Sequence, residues 1–335
     1  MLIISRIIIG LCSVSIFQGP QTIVSVRTEE DRLSAARLLE SGKLAPEVES
    51  RTIVSLAEFL NPSDGEEILY AYRSCVKRRP GCIDAVVPQM VNSIKTTKSE
   101  TFFCLLCDTL MHCDKIPPAS MEILLTQFER RQDFDFGSYK LAAVFVRFGQ
   151  TDKLVWLGSK LKSSGNMSVV CAAEALGSLG TRAKSMIPKL EPLLEALSPG
   201  VRVTAASALW KIGYRDKREV IEKVLRASLS EEDEVVAVEP TFASDIGSEI
   251  VESHRDVAIF WLGEIGSQSA ETADIVASML RDASNARKLR IIHALAKIGK
   301  RTDSTLAALR DASVDQKNAP VASEARRALK LIEQR

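Results

Sequence analysis

The sequence predicts an all-α chain, an α-α superhelix of about seven to eight stacked helix pairs, and three observations lead there. A nine-residue motif returns at a regular step, the composition favours helix, and no run alternates apolar and polar residues as a half-exposed strand would. The motif reads LAAVFVRFG (Leu141–Gly149), AAEALGSLG (Ala172–Gly180), AASALWKIG (Ala205–Gly213), AIFWLGEIG (Ala258–Gly266) and IIHALAKIG (Ile291–Gly299). A degenerate copy, ARRALKLIE (Ala325–Glu333), closes the chain. The final positions stand 31, 33, 53, 33 and 34 residues apart, a period that marks stacked helix pairs. Aromatic residues are only 5 % of the chain, while Ala, Leu, Ile, Lys, Glu and Arg, which lose little entropy in a helix, dominate its second half.

Each copy is a helix with a built-in stop. Ala205, Ala208, Leu209 and Ile212 fall at i, i+3, i+4 and i+7, which lines one face with apolar groups. Alanine on that face lets a neighbouring helix approach closely, and the closing glycine takes the left-handed backbone that ends a helix. A second amphipathic helix follows each turn: Lys153–Lys162, Met186–Leu197, Arg218–Leu229 and Ala273–Ala283.

In this pattern the chain resembles the HEAT-like repeat family, in its bacterial and bilin-lyase-like variant, a HEAT/ARM-like solenoid. That family has an A-helix of the form A-x-A-L-x-x-[IL]-G followed by a B-helix, often with an Asp ending the B-helix and an Arg early in the next A-helix. Asp282 and Asp311 match the first of these positions, Arg202 and Arg290 the second. Ser198 stands near where an Asp is usual, and Glu333 replaces the last Gly. The resemblance covers Tyr139–Arg335. It implies B-helices lining a concave side and leaves function open.

Upstream, residues 28–137 read as divergent helical pairs, and residues 138–335 as the HEAT-like repeats proper. Thr28–Gly42 has a capping Thr28, an acidic first turn and a glycine stop, and pairs with Pro46–Leu60. Asp64–Arg78 pairs with Cys82–Ile94 across Pro80–Gly81, and Thr101–Cys113 with Ala119–Arg131 across Pro117–Pro118. Proline does not continue a helix interior, so these breaks read as turns within pairs.

The segment Met1–Phe17 carries Arg6 before the apolar run Ile7–Phe17, which suits a signal peptide within residues 1–25 and is too short to span a bilayer. Export to a periplasmic or extracellular space is the expectation. A cytoplasmic location follows if Met1–Phe17 is not a signal peptide.

The 53-residue step places an insertion at about 229–254. Ala227–Ser253 holds no Lys or Arg, while Glu231, Glu232, Asp233, Glu234, Glu239, Asp245, Glu249 and Glu252 carry negative charge. Loops that interrupt solenoids project from one edge and often carry binding determinants. The expected partner surface is therefore Glu231, Glu232, Asp233 and Glu234 together with B-helix residues Lys184, Lys189, Arg218, Glu222 and Arg226.

Catalytic, cofactor and metal sites are not expected. Cys104 and Cys107 form a C-x-x-C beside His112 and Cys113, but inside an apolar helix the spacing only places both on one face, where cysteine packs well. In an exported chain without Cys12, six cysteines remain, and Cys75–Cys113 or Cys82–Cys104 are candidate disulfides with the connectivity open. The three histidines, His112, His254 and His293, sit in no recognisable nucleophile or metal motif. Trp156, Trp210 and Trp261 occupy unequal repeat positions and read as packing residues, Trp156 also as a candidate for the concave surface.

The net charge of +1 does not call for nucleic acid, and although Arg73, Lys77, Arg78, Arg79, Arg130 and Arg131 cluster, the B-helices mix signs as solvated faces do. The reading is a non-catalytic scaffold for a protein partner. Its rivals are a bilin-lyase-like enzyme subunit, which would yield a coloured adduct with bilin and acceptor, and a repair-type solenoid, which would bind DNA with steep salt dependence.

Overall fold

The computed structural model describes residues 26, 28–62, 65–131, 136–231, 235–236, 252–267 and 269–334. The described residues form seventeen α-helices joined in sequence by turns and short 3₁₀ segments. The chain divides into two units, Met1–Glu129 and Arg130–Arg335. The proposed signal segment lies outside the described residues. No described helix is long and apolar enough to cross a membrane.

The first unit holds α1 (Glu29–Ser41), α2 (Pro46–Leu56), α3 (Glu66–Arg78), α4 (Val87–Thr96), α5 (Glu100–Leu110) and α6 (Pro118–Arg130). Thr28 and Asp31 make a reciprocal capping box at the start of α1, satisfying amides that a helix start leaves without partners. Gly42 ends α1 with φ +68°. Helix α3 packs between α1 and α5. Its Tyr72 is fully buried and donates its hydroxyl to the Ile53 carbonyl at 2.6 Å. Phe102, Phe103, Ile68, Leu69 and Met90 complete this core.

The second unit alternates A-helices with B-helices. The A-helices are α7 (Phe136–Arg147), α9 (Asn166–Ser178), α11 (Pro199–Ile212), α13 (His254–Ile265), α15 (Asn285–Ile298) and α17 (Ala319–Glu333). The B-helices are α8 (Thr151–Lys160), α10 (Ile187–Leu190), α12 (Arg218–Ala227), α14 (Ala270–Ser278) and α16 (Asp303–Ser313). Each A-helix packs on the next, from α7 through to α17, and the B-helices cover one side of that layer. Because the helices alternate in direction, every B-to-A turn of this unit lies on one edge. Gly149, Gly180, Gly213, Gly266 and Gly299 all have positive φ, as helix-ending glycines of this motif should.

Two elements depart from expectation. The helix predicted over Met186–Leu197 is a single α-turn, α10, between 3₁₀ segments Gly180–Met186 and Glu191–Glu195. Pro192 is the reason: it offers no amide hydrogen, and its ring displaces the carbonyl four residues back. A two-residue antiparallel ladder also forms where no strand is expected, between β1 (Val235–Val236) and β2 (Glu252–Ser253), pairing Val235 with Ser253 and Val236 with Glu252.

The A-layer is tight enough to constrain side chains to hydrogen at two points. A methyl group on Gly263 would stand 2.9 Å from the Ala294 Cα, and one on Gly177 would stand 3.0 Å from the Ala208 Cα. Both glycines sit three residues before the motif's closing glycine, so this is one repeat position used twice. Gly263→Val is expected to destabilise the protein by about 1–3 kcal/mol through overpacking. A urea midpoint unchanged from wild type would show that α13 and α15 separate without cost.

Candidate interaction surface

The insertion leaves the second unit at the turn between α12 and α13, and its base is held by a set of polar contacts. Glu231 is the last described residue before it and is gripped by Arg202 on α11, whose Nη2 hydrogen-bonds both carboxylate oxygens. Arg202 also donates to the carbonyls of Ala196 at 2.6 Å and Leu197 at 2.8 Å. On α13, Arg255 donates to the Glu231 carbonyl, and His254, fully buried, places Nε2 3.0 Å from the Ser228 carbonyl. Arg202 and Arg255 each stand eleven residues before their closing glycines, so two successive repeats present the same residue to one acidic position. The β1–β2 ladder closes the base. Glu232, Asp233 and Glu234 lie outside the described residues.

One step further along, Asp256 forms a similar hub. It is 7 % exposed and accepts from Arg287 through Nε at 2.8 Å and Nη2 at 3.0 Å. Arg290 stands 3.4 Å away, and the Ser253 hydroxyl donates at 3.0 Å. Burial pushes the Asp256 carboxyl up, but the hydrogen bonds and charges of Arg287 and Arg290 and the Ser253 hydroxyl outweigh it, holding the carboxyl below the usual carboxylate range. Arg290 thus serves an ion pair with the preceding A-helix. Asp282 and Asp311 are exposed.

The predicted B-helix residues fall into two groups. Arg218, Glu222 and Arg226 share one face of α12, at four-residue spacing, and that face meets the next helix pair. Arg218 donates to the carbonyls of Ile265 at 3.0 Å and Gly266 at 2.6 Å, where α13 ends. Glu222 accepts from the hydroxyls of Ser267 and Thr272, the latter at 3.1 Å. Arg226 pairs with Glu271 at 2.8 Å. These three stitch one repeat to its successor. Lys184 and Lys189 are exposed, Lys189 with its chain laid against Gly158 of α8.

Three of the exposed apolar side chains of the second unit stand at or next to B-to-A turns, while Val155 and Val220 are exposed on the B-helices α8 and α12. Leu197, in the turn before α11, is 99 % exposed; Val314, before α17, is 73 % exposed; Met167, at the start of α9, is 51 % exposed. Singly such residues are ordinary on a protein surface. Here Leu197 and Val314 lie in B-to-A turns and Met167 in the first turn of the A-helix that follows one. Sequence pattern missed these residues because they fall in turns or in the first turn of a helix, where the helical periodicity that distinguishes core from surface is not yet set.

The chain is a helical-repeat protein. No protein-family model matches it, and no curated protein matches it. Among solved structures, an engineered protein is similar at 15 % identity and TM-score 0.42, covering 93 % of this chain and 97 % of that one. The complex of CpcE and CpcF of phycocyanin lyase from Nostoc sp. PCC7120 is similar at 19 % identity and TM-score 0.41, covering 80 % and 93 %. Human deoxyhypusine hydroxylase in complex with glycerol is similar at 14 % identity and TM-score 0.31, covering 92 % and 97 %.

The remaining candidate residues have structural partners. Trp156 stacks against Tyr139 with centroids 5.3 Å apart, and Lys160 lies over its ring. Trp210 lies under the Arg215 guanidinium at 3.5 Å, and Trp261 under Lys211 at 5.2 Å. His293 contacts Glu324 at 3.3 Å. Of the basic cluster, Arg78 and Arg79 pair with the buried Glu49 at 3.4 and 3.2 Å, and Arg78 also donates to the Leu39 and Glu40 carbonyls. Among the described residues no three His, Cys, Asp or Glu side chains gather as a metal site.

Cys75, Cys104, Cys107 and Cys113 are buried and Cys82 is half-buried, all as free thiols, and the Cys75 thiol donates to the Leu39 carbonyl at 3.8 Å. None forms either disulfide the sequence suggested. Its neighbour Cys82, burial and the nearby Glu49 push the Cys75 thiol well up; Cys75 and Arg79 draw Cys82 below the usual thiol range against the burial that opposes them.

Proposed function

We propose that the chain is a non-catalytic, HEAT-like scaffold whose protein partner docks along the B-to-A edge of the second unit. The exposure of Leu197, with Met167 and Val314 on the same edge, supports this reading most directly. The acidic insertion leaves from that edge, and its base is held by Arg202, Arg255 and the β-ladder, so its point of departure is fixed relative to the apolar side chains. A partner with an apolar patch flanked by basic residues matches both features. The exposed Lys184 and Lys189 lie on the B side, where they would take acidic groups of the same partner.

Leu197→Asp is expected to change stability by less than about 0.5 kcal/mol, since the side chain is already in solvent. It is also expected to abolish capture of a partner from the source cell. Deleting residues 232–251 should remove the same partner. If both variants retain every protein bound by wild type, the edge is not the docking surface.

We also propose that the protein is exported, on the strength of the apolar run Ile7–Phe17 after Arg6. Mass spectrometry of the protein isolated from its cell should find an N-terminus near residue 25. A chain that still begins at Met1 would place it in the cytoplasm.

A further inference from the structure

The first turn of α9 and the turn before α11 meet over a small apolar cluster. Val169 and Val170 on α9 and Val201 on α11 are buried in it, with Leu193 and Ala196 packed against them. Met167 stands two residues before this cluster and Leu197 directly after Ala196, and both side chains are exposed. The backbone of Leu197 is fixed, because Arg202 holds the Ala196 and Leu197 carbonyls. Met167 is also the one exposed methionine among the described residues. Met90 and Met186 are buried, and Met111, Met121 and Met279 are half-buried.

We propose that Met167 is a reversible oxidation site that switches the docking edge from apolar to polar, a regulation that rests on the docking reading above. With hydrogen peroxide as oxidant, the thioether sulfur attacks one peroxide oxygen. An S–O bond forms as the O–O bond breaks, the departing hydroxide takes the proton left on the transferred oxygen, and one water leaves. Sulfur gives up two electrons and becomes a sulfoxide. The thioether has no proton to lose, so the step needs no neighbouring base and solvent access decides which methionine reacts first. The product places a polar oxygen on the edge, where an apolar partner surface would have to bury it without a hydrogen-bond donor. A sulfoxide reductase reverses the change, releasing the oxygen as water while two thiols become a disulfide.

The test blocks accessible thiols of the full-length protein with N-ethylmaleimide, titrates it with hydrogen peroxide and maps methionine oxidation by mass spectrometry after trypsin. The peptide Ser163–Arg182 holds Met167 as its one methionine, and fragment spectra separate an oxygen there from one on Cys171. Met167 should gain its oxygen before Met90, Met111, Met121, Met186 and Met279. The oxidised protein should then elute earlier from a phenyl column and lose the partner that untreated protein captures. Sulfoxide reductase with dithiothreitol should restore both. Met167→Gln, polar without oxidation, should lose the same partner. The proposal is overturned if another of these methionines is oxidised first, or if Met167 sulfoxide leaves elution and capture unchanged. If Leu197→Asp keeps the partner, it is the docking reading that has failed, and the regulation falls with it.

Discussion

Replacing Glu174 by Gln while Lys140 stays in place is expected to cost about 3–5 kcal/mol, because the buried Lys140 ammonium loses the charge of Glu174. Lys140 on α7 and Glu174 on α9 meet at 2.8 Å with side chains only 4 % and 7 % exposed. The Phe136 ring lies 5.7 Å from the ammonium and adds a weaker attraction. Burial around them also pushes the neighbouring Cys171 thiol up to about 12, consistent with a site where solvent does not support charge. Taking both ions out of water is expensive, so the pair as a whole contributes little net stability. The double variant Lys140→Met with Glu174→Leu is therefore expected to be neutral or about 1–4 kcal/mol more stable than wild type. Urea unfolding of the two single variants and the double variant completes the cycle. Equal losses in all three would mean the pair is not a closed unit.

Asp256→Asn is expected to cost about 3 kcal/mol, near the lower limit for breaking a buried pair, since it leaves Arg287 and Arg290 facing each other with one charge removed. This prediction carries a pH signature. The folded carboxyl titrates below its unfolded value, so its contribution is fully present above about pH 4 and is lost as pH falls through the depressed folded value. The wild-type protein should therefore lose stability more steeply than Asp256→Asn on the acid side of pH 4, and the two should run parallel between pH 6 and 8. Parallel curves through the acid range would remove Asp256 from the acid-sensitive set.

Much of the fold is legible because its determinants are local. The glycine that ends each motif needs a left-handed backbone, and the small residues before it need a close neighbour, so both announce the helix pair from sequence alone. Helix α10 escaped because the amphipathic spacing of Met186–Leu197 is helical while Pro192 denies the backbone bond that would continue it. The β1–β2 ladder is two residues long and has no room for an alternating pattern. The candidate surface was harder for a different reason. Charge spacing shows that Arg218, Glu222 and Arg226 share a face, but not that the face meets the next repeat rather than solvent. Likewise, Arg202 is visible as a repeat residue, yet its partner Glu231 becomes visible only when the turn is in place.

The ladder at the foot of the insertion has a consequence for engineering. Val235 and Ser253 are antiparallel partners, so the entry and exit strands are one strand spacing apart, roughly 4.8 Å. A host site with adjoining ends accepts cargo of almost any length, because doubling a flexible loop costs only about 0.6 kcal/mol. A reporter domain whose own termini are neighbours, spliced in place of residues 237–251, should leave the thermal transition of the host nearly unmoved. The same cassette joined within α12 would break the polar ties from Arg218 and Arg226 to the following helix pair.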